Sequence, residues 1–448
     1  MLRPFTPASG AHAHSNDPKR HSGHQSSGAT TNKHGRADAG AGGVRVLFLA
    51  RQPPVPLDDG GRIRAHALAA ALSAVTHLHF LAFADGVGSD LPCESAATVA
   101  AVLPMAESVT LVPRPKATKR RLQVQTMLGG GSYGFQLHAS SSMAHTLLKV
   151  MDSFKPDLLH CNSMLLGSYA RLAPPSVVRA IAPENVESVL MKQMADTTDT
   201  WLRRRLYTRE AKLLQRWEAA HLANFDLCLG VSANDTRWFA RMGANAVCIP
   251  NGVARHPPPH PTVPLQSAEP LKLLFVGNGA WEPNRIGMAW FVRQVLPTLR
   301  CRVAPQLTVV GSDWDWLRHP LCTTVGHVPS LDTYYASHHV ALVPLLSGGG
   351  SRLKVAEALA KGVPLVGTTV GLEGYPLQPG VHALFGDTPE EFAAHIKWLD
   401  EKLRDDPRPV DHQIAAGFHL VEQFFWDQIG GRLADVYAEI ITRKRRRD

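Results

Sequence analysis

ALVPLLSGGGSRLKVAEALAKGVPLVGTTVGLEG, from Ala341 to Gly374, is the stretch on which the fold turns. Val340 to Leu346 is an unbroken apolar run, the pattern of a parallel strand buried on both faces. Ser347-Gly348-Gly349-Gly350 then reads as a loop whose backbone can approach a ligand closely, because glycine has no Cβ in the way. Ser351 is the residue type expected to N-cap the following helix. Gly362 and Pro364 stop that helix, and Val363 to Gly367 reads as the next strand.

The first turn of this helix carries Arg352 and Lys354. A helix N-terminus favours anions by roughly 0.3–1 kcal/mol per charge, so two cations there are mildly unfavourable on their own. They become reasonable around an anion, and a glycine loop between strand and helix is a phosphate site. The alternative is that both side chains simply point into solvent. Glu357, one turn on, has two readings as well. It pairs on the surface with Lys354 or Lys361 for roughly 0.2–0.5 kcal/mol, or it accepts from the vicinal hydroxyls of a ribose.

Ser347 to Gly374 resembles the nucleotide-sugar-binding segment of the group 1 (family 4-like) glycosyltransferases, in particular a GGG-(Ser/Thr)-Arg-Leu-Lys subgroup. The resemblance implies an α/β protein of the GT-B fold, with two doubly wound Rossmann-like domains facing a central cleft. It also implies that Glu357 holds the donor ribose. A second glutamate of the family faces the sugar, and its position here is Gly349.

A chain of 448 residues with 44% apolar residues suits two globular domains. The formal charge of +9 suits anionic partners such as nucleotides, phospholipid surfaces or nucleic acid. The six cysteines are scattered without CxxC spacing and read as reduced thiols of a cytoplasmic protein, not as a zinc or disulfide framework. No run of 18 apolar residues and no signal-peptide core occurs, so a soluble or at most peripheral protein is expected.

Residues 1–42 are rich in His, Ser, Gly and Ala and read as a disordered tail, whose histidines could hold a metal only adventitiously. Residues 43–253 form a first domain that opens with the strand Val44 to Ala50. The loop behind it ends in Gly60-Gly61, before a helix expected from Ile63 to Leu72, and is a second phosphate-friendly junction. It resembles the family's first donor-phosphate loop. Alternating strands and helices to Val231 imply a parallel sheet. Ala182 to Glu187 resembles the family's His-Asn-Val-Glu segment at the catalytic cleft, with Glu184 at the histidine position and Asn185 beside it. His160 ends a strand expected to point into the same cleft. The helix from Trp201 to Leu222 and the run Pro113 to Arg121 are strongly basic. They are read either as a surface for an anionic membrane or as a solvated face over an apolar stripe.

Residues 254–270 are a proline-rich linker. Residues 271–410 form the second domain, whose first loop carries Gly277-Asn278-Gly279. By the resemblance this loop borders the donor phosphates, Asn278 replaces an arginine, and Arg352, Lys354 and Arg285 supply the charge. The loop at 326–328, with Val328, would meet the base. Asp313-Trp314-Asp315 matches a metal-binding pattern of a different fold too short to carry weight. Thr388-Pro389 with Glu391 is a capping box. Residues 411–442 are read as a helix crossing back to the first domain, and 443–448 as a solvated basic tail.

The resemblance implies transfer of a sugar from a nucleoside-diphosphate sugar to an acceptor hydroxyl, with retention of configuration and no obligatory metal or other cofactor. Arg352, Lys354 and Glu184 would be catalytic. Gly60, Gly61, Gly277, Asn278, Val328, Gly348, Gly349, Gly350, Ser351 and Glu357 would bind the donor, and His160 and Asn185 would line the acceptor side. The acceptor would be a glycan or lipid-linked, in polysaccharide or glycoconjugate synthesis, without nucleic acid as a partner. Two alternatives stay open: a nucleotide-sugar epimerase on the same fold, and a degenerate nucleotide-binding or scaffold protein.

Overall fold

The computed structural model describes residues 43–57, 59–84, 95–114, 131–198 and 200–446. These all belong to one compact unit, Ala41–Asp448. The tail assigned to 1–42, residues 115–121 of the basic run, and Cys93 lie outside the described residues.

Apolar runs bounded by turn residues form two parallel sheets, as both-face burial requires. The first holds β1 (Arg45–Ala50), β2 (His77–Phe83), β3 (Ser108–Val112), β4 (Leu158–Asn162), β5 (Val178–Ile181), β6 (Leu227–Gly230) and β7 (Ala246–Cys248), in the order β3-β2-β1-β4-β5-β6-β7. The second holds β8 (Lys272–Val276), β9 (Gln306–Val310), β10 (Cys322–Val325), β11 (Val340–Val343), β12 (Leu365–Gly367) and β13 (Leu384–Phe385), in the order β10-β9-β8-β11-β12-β13. Strand order reverses between β1 and β4, where Val46 pairs with Leu158, and between β8 and β11, where Leu273 pairs with Val340. Such a reversal opens a crevice at the carboxyl ends of the strands, where doubly wound sheets bind ligands. The loops after β1, β8 and β11 all leave from these two points.

Between the sheets, residues 254–270 carry neither helix nor strand but are pinned down. Leu265 is buried and its N–H donates to Leu403 O at 2.8 Å, and Thr262 N–H donates to Asp411 Oδ1 at 2.8 Å. The capping box forms on the helix Pro389–Asp405.

The end of the chain differs from its sequence reading. The segment 411–442 is not one helix. Arg408–Val421 ends in a short turn, and Trp426–Arg445 is the helix that crosses back. Gly430 allows the crossing, since a Cβ there would sit 2.4 Å from that of Ala71 in the helix Gly60–Val75. The terminal basic residues are not simply solvated, because the helix carries them onto the first sheet. Lys444 Nζ donates to Val177 O at 3.0 Å and Asp226 Oδ2 at 2.8 Å, and Arg445 Nη2 donates to Asp157 Oδ1 at 2.6 Å.

The helix Trp201–His221 buries Ala211, Leu214 and Glu218, and leaves Arg203, Arg204, Arg205, Lys212 and Arg216 exposed. This is a basic face over a narrow apolar stripe. Among the described residues no helix is long and apolar enough to cross a membrane. The five described cysteines are all free thiols.

Tyr437 of the last helix is buried and its hydroxyl pairs with Nδ1 of His160 on β4. Tyr437→Phe strands a buried polar nitrogen, so it should lower unfolding stability by about 1–3 kcal/mol in a denaturant titration. Stability equal to the parent would show that this contact does not anchor the helix.

Candidate active site

The glycine loop after β11 needs its glycines. Gly348 has φ +144° and Gly350 +74°, conformations that L side chains avoid. A Cβ on Gly350 would also lie 2.7 Å from Glu184 O of the first domain. Arg352 holds the loop in this shape. Only 5% exposed, it donates from Nη1 to Gly349 O and to Gly350 O (3.1 Å), and from Nη2 to Val370 O (3.1 Å). Its solvent-facing alternative is thereby removed. Ser351 does not cap the helix. Its Oγ accepts from Asn251 N at 3.0 Å instead, and Leu353–Ala360 begins without a side-chain cap.

Lys354 turns inward. Its Nζ donates to Asn284 Oδ1 at 2.9 Å and sits 4.1 Å from the centre of the Phe275 ring. Burial, reinforced by nearby Arg352, pulls its pKa down to about 7. Gly277 makes room for it, since a Cβ there would lie 2.9 Å from the ammonium. Neither surface pair considered for Glu357 forms. Glu357 Oε2 accepts from the Tyr335 hydroxyl at 3.1 Å, and Lys361 pairs with Asp332. Burial raises the Glu357 pKa above the usual carboxylate range.

Asn278 is spent on its own loop: Oδ1 accepts from Ala280 N at 2.7 Å and its carbonyl from Asn284 Nδ2 at 2.9 Å. Arg285 lies 3.7 Å from Glu282, which also accepts from the Tyr207 hydroxyl at 2.5 Å. Val328 packs partly buried against the second domain's core at the β10 edge. Trp314 is structural, donating from Nε1 to Gly277 O at 2.8 Å. Among the described residues no group of three or more side chains could hold a metal ion.

From the first domain, the helix Gly60–Val75 starts at Gly60 itself, three residues before the apolar pattern suggested. Asp59 caps it by accepting from Arg62 N at 2.9 Å. Gly60 and Gly61 therefore form the helix's first turn rather than a preceding loop. A Cβ on Gly60 would lie 3.4 Å from Leu353 of the second domain, and one on Gly61 3.0 Å from Glu184 Oε1. Glu184 thus touches both glycine segments, Gly61 with its carboxylate and Gly350 with its carbonyl. Arg51 Nη2 fixes that carboxylate at 2.8 Å. With its amide nitrogen facing the two carbonyls, Asn185 donates to Glu184 O at 3.1 Å and Gly349 O at 3.0 Å. Next to them, burial and then Glu184 push Glu187 up to about 7.

His160 does not belong to this group. It is fully buried, stacked 4.2 Å from the Phe48 ring, and burial lowers its pKa to about 3. Sequence patterns missed Arg51, Asn284, Tyr335 and Gln193, whose Oε1 accepts from Gly348 N at 2.8 Å. The loop spacing of Asn284 was visible, but nothing in the chain marks the others before they are folded together.

Two parallel sheets, each turning a glycine-bearing strand-to-helix junction toward one cleft, define a GT-B protein. Residues 270–402, which hold β8 to β13 and the glycine loop, match the family described as Glycosyl transferases group 1. The match lies within the second domain and covers less than half of the chain. Sucrose-phosphate synthase from Thermosynechococcus elongatus shares the fold at 18% identity and TM-score 0.64, over 89% of this chain and 99% of that one. The Anabaena protein HepE, solved in complex with UDP, aligns at 12% identity and TM-score 0.60, over 88% and 100%. The lipopolysaccharide outer core galactosyltransferase WaaB, in its apo form, aligns at 12% and 0.55, over 88% and 99%. No curated protein matches the sequence.

The Lys354 pKa of about 7 lies below the roughly 10.4 of an unfolded lysine. The unfolded chain therefore binds the extra proton between these values, and stability falls as pH drops from about 10 to 7. Lys354→Met should melt higher than the parent at pH 7, with the gap narrowing toward pH 10. A gap that is constant with pH would mean that the ammonium is not desolvated.

Proposed function

We propose that this chain transfers a sugar from a nucleoside-diphosphate sugar to an acceptor hydroxyl bound in the cleft. One observation carries the reading. The Lys354 ammonium has no carboxylate in ion-pair range among the described residues, and it lies on the helix behind a glycine loop that faces the Gly60-Gly61 helix start. Two helix N-termini and a desolvated cation form a site of positive potential suited to a diphosphate. The solved structures of HepE with UDP and with UDP-glucose support a nucleotide at this kind of cleft.

In this reading the diphosphate lies between Gly60-Gly61 and the Gly348–Gly350 loop, where Lys354 and backbone N–H groups stabilise the leaving group. Glu357, held by Tyr335, accepts from the ribose. Glu184, oriented by Arg51, borders the sugar's reacting face together with Asn185. The family resemblance supports retention of configuration without an obligatory metal. The exposed arginines of the helix Trp201–His221 support an anionic acceptor, glycan or lipid-linked, and a peripheral contact with anionic membrane. Synthesis of a polysaccharide or glycoconjugate is the corresponding role.

A nucleoside diphosphate at about 100 times its dissociation constant should stabilise the fold by about 2.7 kcal/mol. Glu357→Ala should weaken that binding by roughly 1–3 kcal/mol. An absent thermal shift with UDP, GDP, ADP and CDP at millimolar concentration would remove the donor site. An isomeric nucleotide sugar formed without acceptor would point to epimerisation instead.

A further inference from the structure

Gln193 lies on the helix Glu187–Thr197 of the first domain, yet its side chain reaches the glycine loop of the second. Its Oε1 accepts from Gly348 N at 2.8 Å, and its Nε2 has no partner among the described residues. The bond to Gly348 uses one lone pair of Oε1 and fixes the amide head, so two N–H donors and the remaining lone pair are presented at the loop in a set direction. The charged groups beside the glycine loop are already engaged. Gly349 offers only backbone, and Asn185 lies against it, 3.2 Å from where its Cβ would be. The nearby carboxylate of Glu184 is taken by Arg51, and the Arg352 guanidinium by three carbonyls. Lys354, the cation suited to phosphate, is turned to Asn284 and Phe275.

Amide heads that both donate and accept complement hydroxyl groups, which do the same, whereas a bare phosphate calls for cations and N–H donors alone. We infer that Gln193 reads the hydroxyls of the transferred glycosyl group, with Gly348 as the fixed point that aims it. The group it fits is an uncharged sugar, because neither amide can neutralise a carboxylate. This rests on the nucleotide-sugar reading above and adds the residue that distinguishes the sugar from the nucleotide. It also makes selection a joint act of the two domains, since one supplies the amide and the other holds it.

Calorimetric titration of UDP and UDP-glucose tests this, with the GDP or ADP pair substituted if the wild type responds only to that base. Gln193→Ala removes the head, and Gln193→Met keeps its bulk without hydrogen bonds. Both variants should bind the nucleotide sugar about five- to tenfold more weakly, the loss of a neutral hydrogen bond, while the bare diphosphate changes less than about twofold. An equal change for both ligands, weaker or tighter, would overturn the assignment and make Gln193 a latch between the domains. A wild type that binds the diphosphate but gains nothing from the sugar would overturn it too. Failure of the wild type to bind either ligand is the separate result that removes the donor reading itself.

Discussion

One buried guanidinium joins the two halves of this molecule. Arg64, on the first helix and 1% exposed, donates to Ile249 O at 2.7 Å, Pro250 O at 3.0 Å and Asn251 Oδ1 at 3.0 Å. Those acceptors are the chain's exit from the first sheet. Asn251 in turn donates to Ser351 O at 2.9 Å and accepts from the Tyr375 hydroxyl at 3.2 Å through its carbonyl. A continuous path of hydrogen bonds therefore runs from the helix that begins at Gly60-Gly61 to the residue that closes the Gly348–Gly350 loop. Burial pulls the Arg64 pKa down to about 10, which still leaves it charged at neutral pH. A buried charge is tolerated only when it is well hydrogen-bonded; Nε finds no acceptor among the described residues, but the bonds from Nη1 and Nη2 fix how the two glycine segments face each other.

The sheets were legible because their strands are buried on both faces, and a run such as Val340 to Leu346, of which Val340–Val343 pairs in the sheet, carries that pattern. Element ends were less so. Gly60 and Gly61 look like loop residues by composition, but Asp59 caps the helix ahead of them, and a cap overrides the weak propensity of glycine. Ser351 shows the converse. Its sequence position suits a cap, but Asn251 claims its hydroxyl, and that contact spans 100 residues. A local rule cannot anticipate a competitor so distant. His160 was misplaced for a related reason. Its partner Tyr437 lies 277 residues away, and without the crossing helix a strand-end histidine has nowhere to go but the cleft.

Of the site itself, the glycine segments were readable because each is a local feature of the sequence. The roles of the charged residues were not. The helix-dipole argument treats Arg352 and Lys354 alike, as two cations awaiting an anion. Folded, they have different partners. Arg352 already satisfies carbonyl oxygens of the loop, which gives it a structural task of its own. The sign of an interaction was correct for the helix end and incomplete for the residue, because the strongest acceptors came from the loop's own backbone.

The difference between the two cations follows from their chemistry. A guanidinium stays charged when buried and carries a fork of donors, so it can brace three carbonyls at once. Lysine could not, having one compact head. That head has a compensating property: burial moves its pKa into the neutral range, so its charge responds to what arrives beside it. On the aromatic face of Phe275, with only an amide oxygen as partner, Lys354 has its pKa pulled down to about 7. A diphosphate next to it would favour the charged form, drawing in a proton as it binds. The loop is thus built by the residue that cannot titrate and completed by the one that can. An exchange of the two would leave the glycine turn without its brace and the proposed phosphate position with a cation unable to yield its charge.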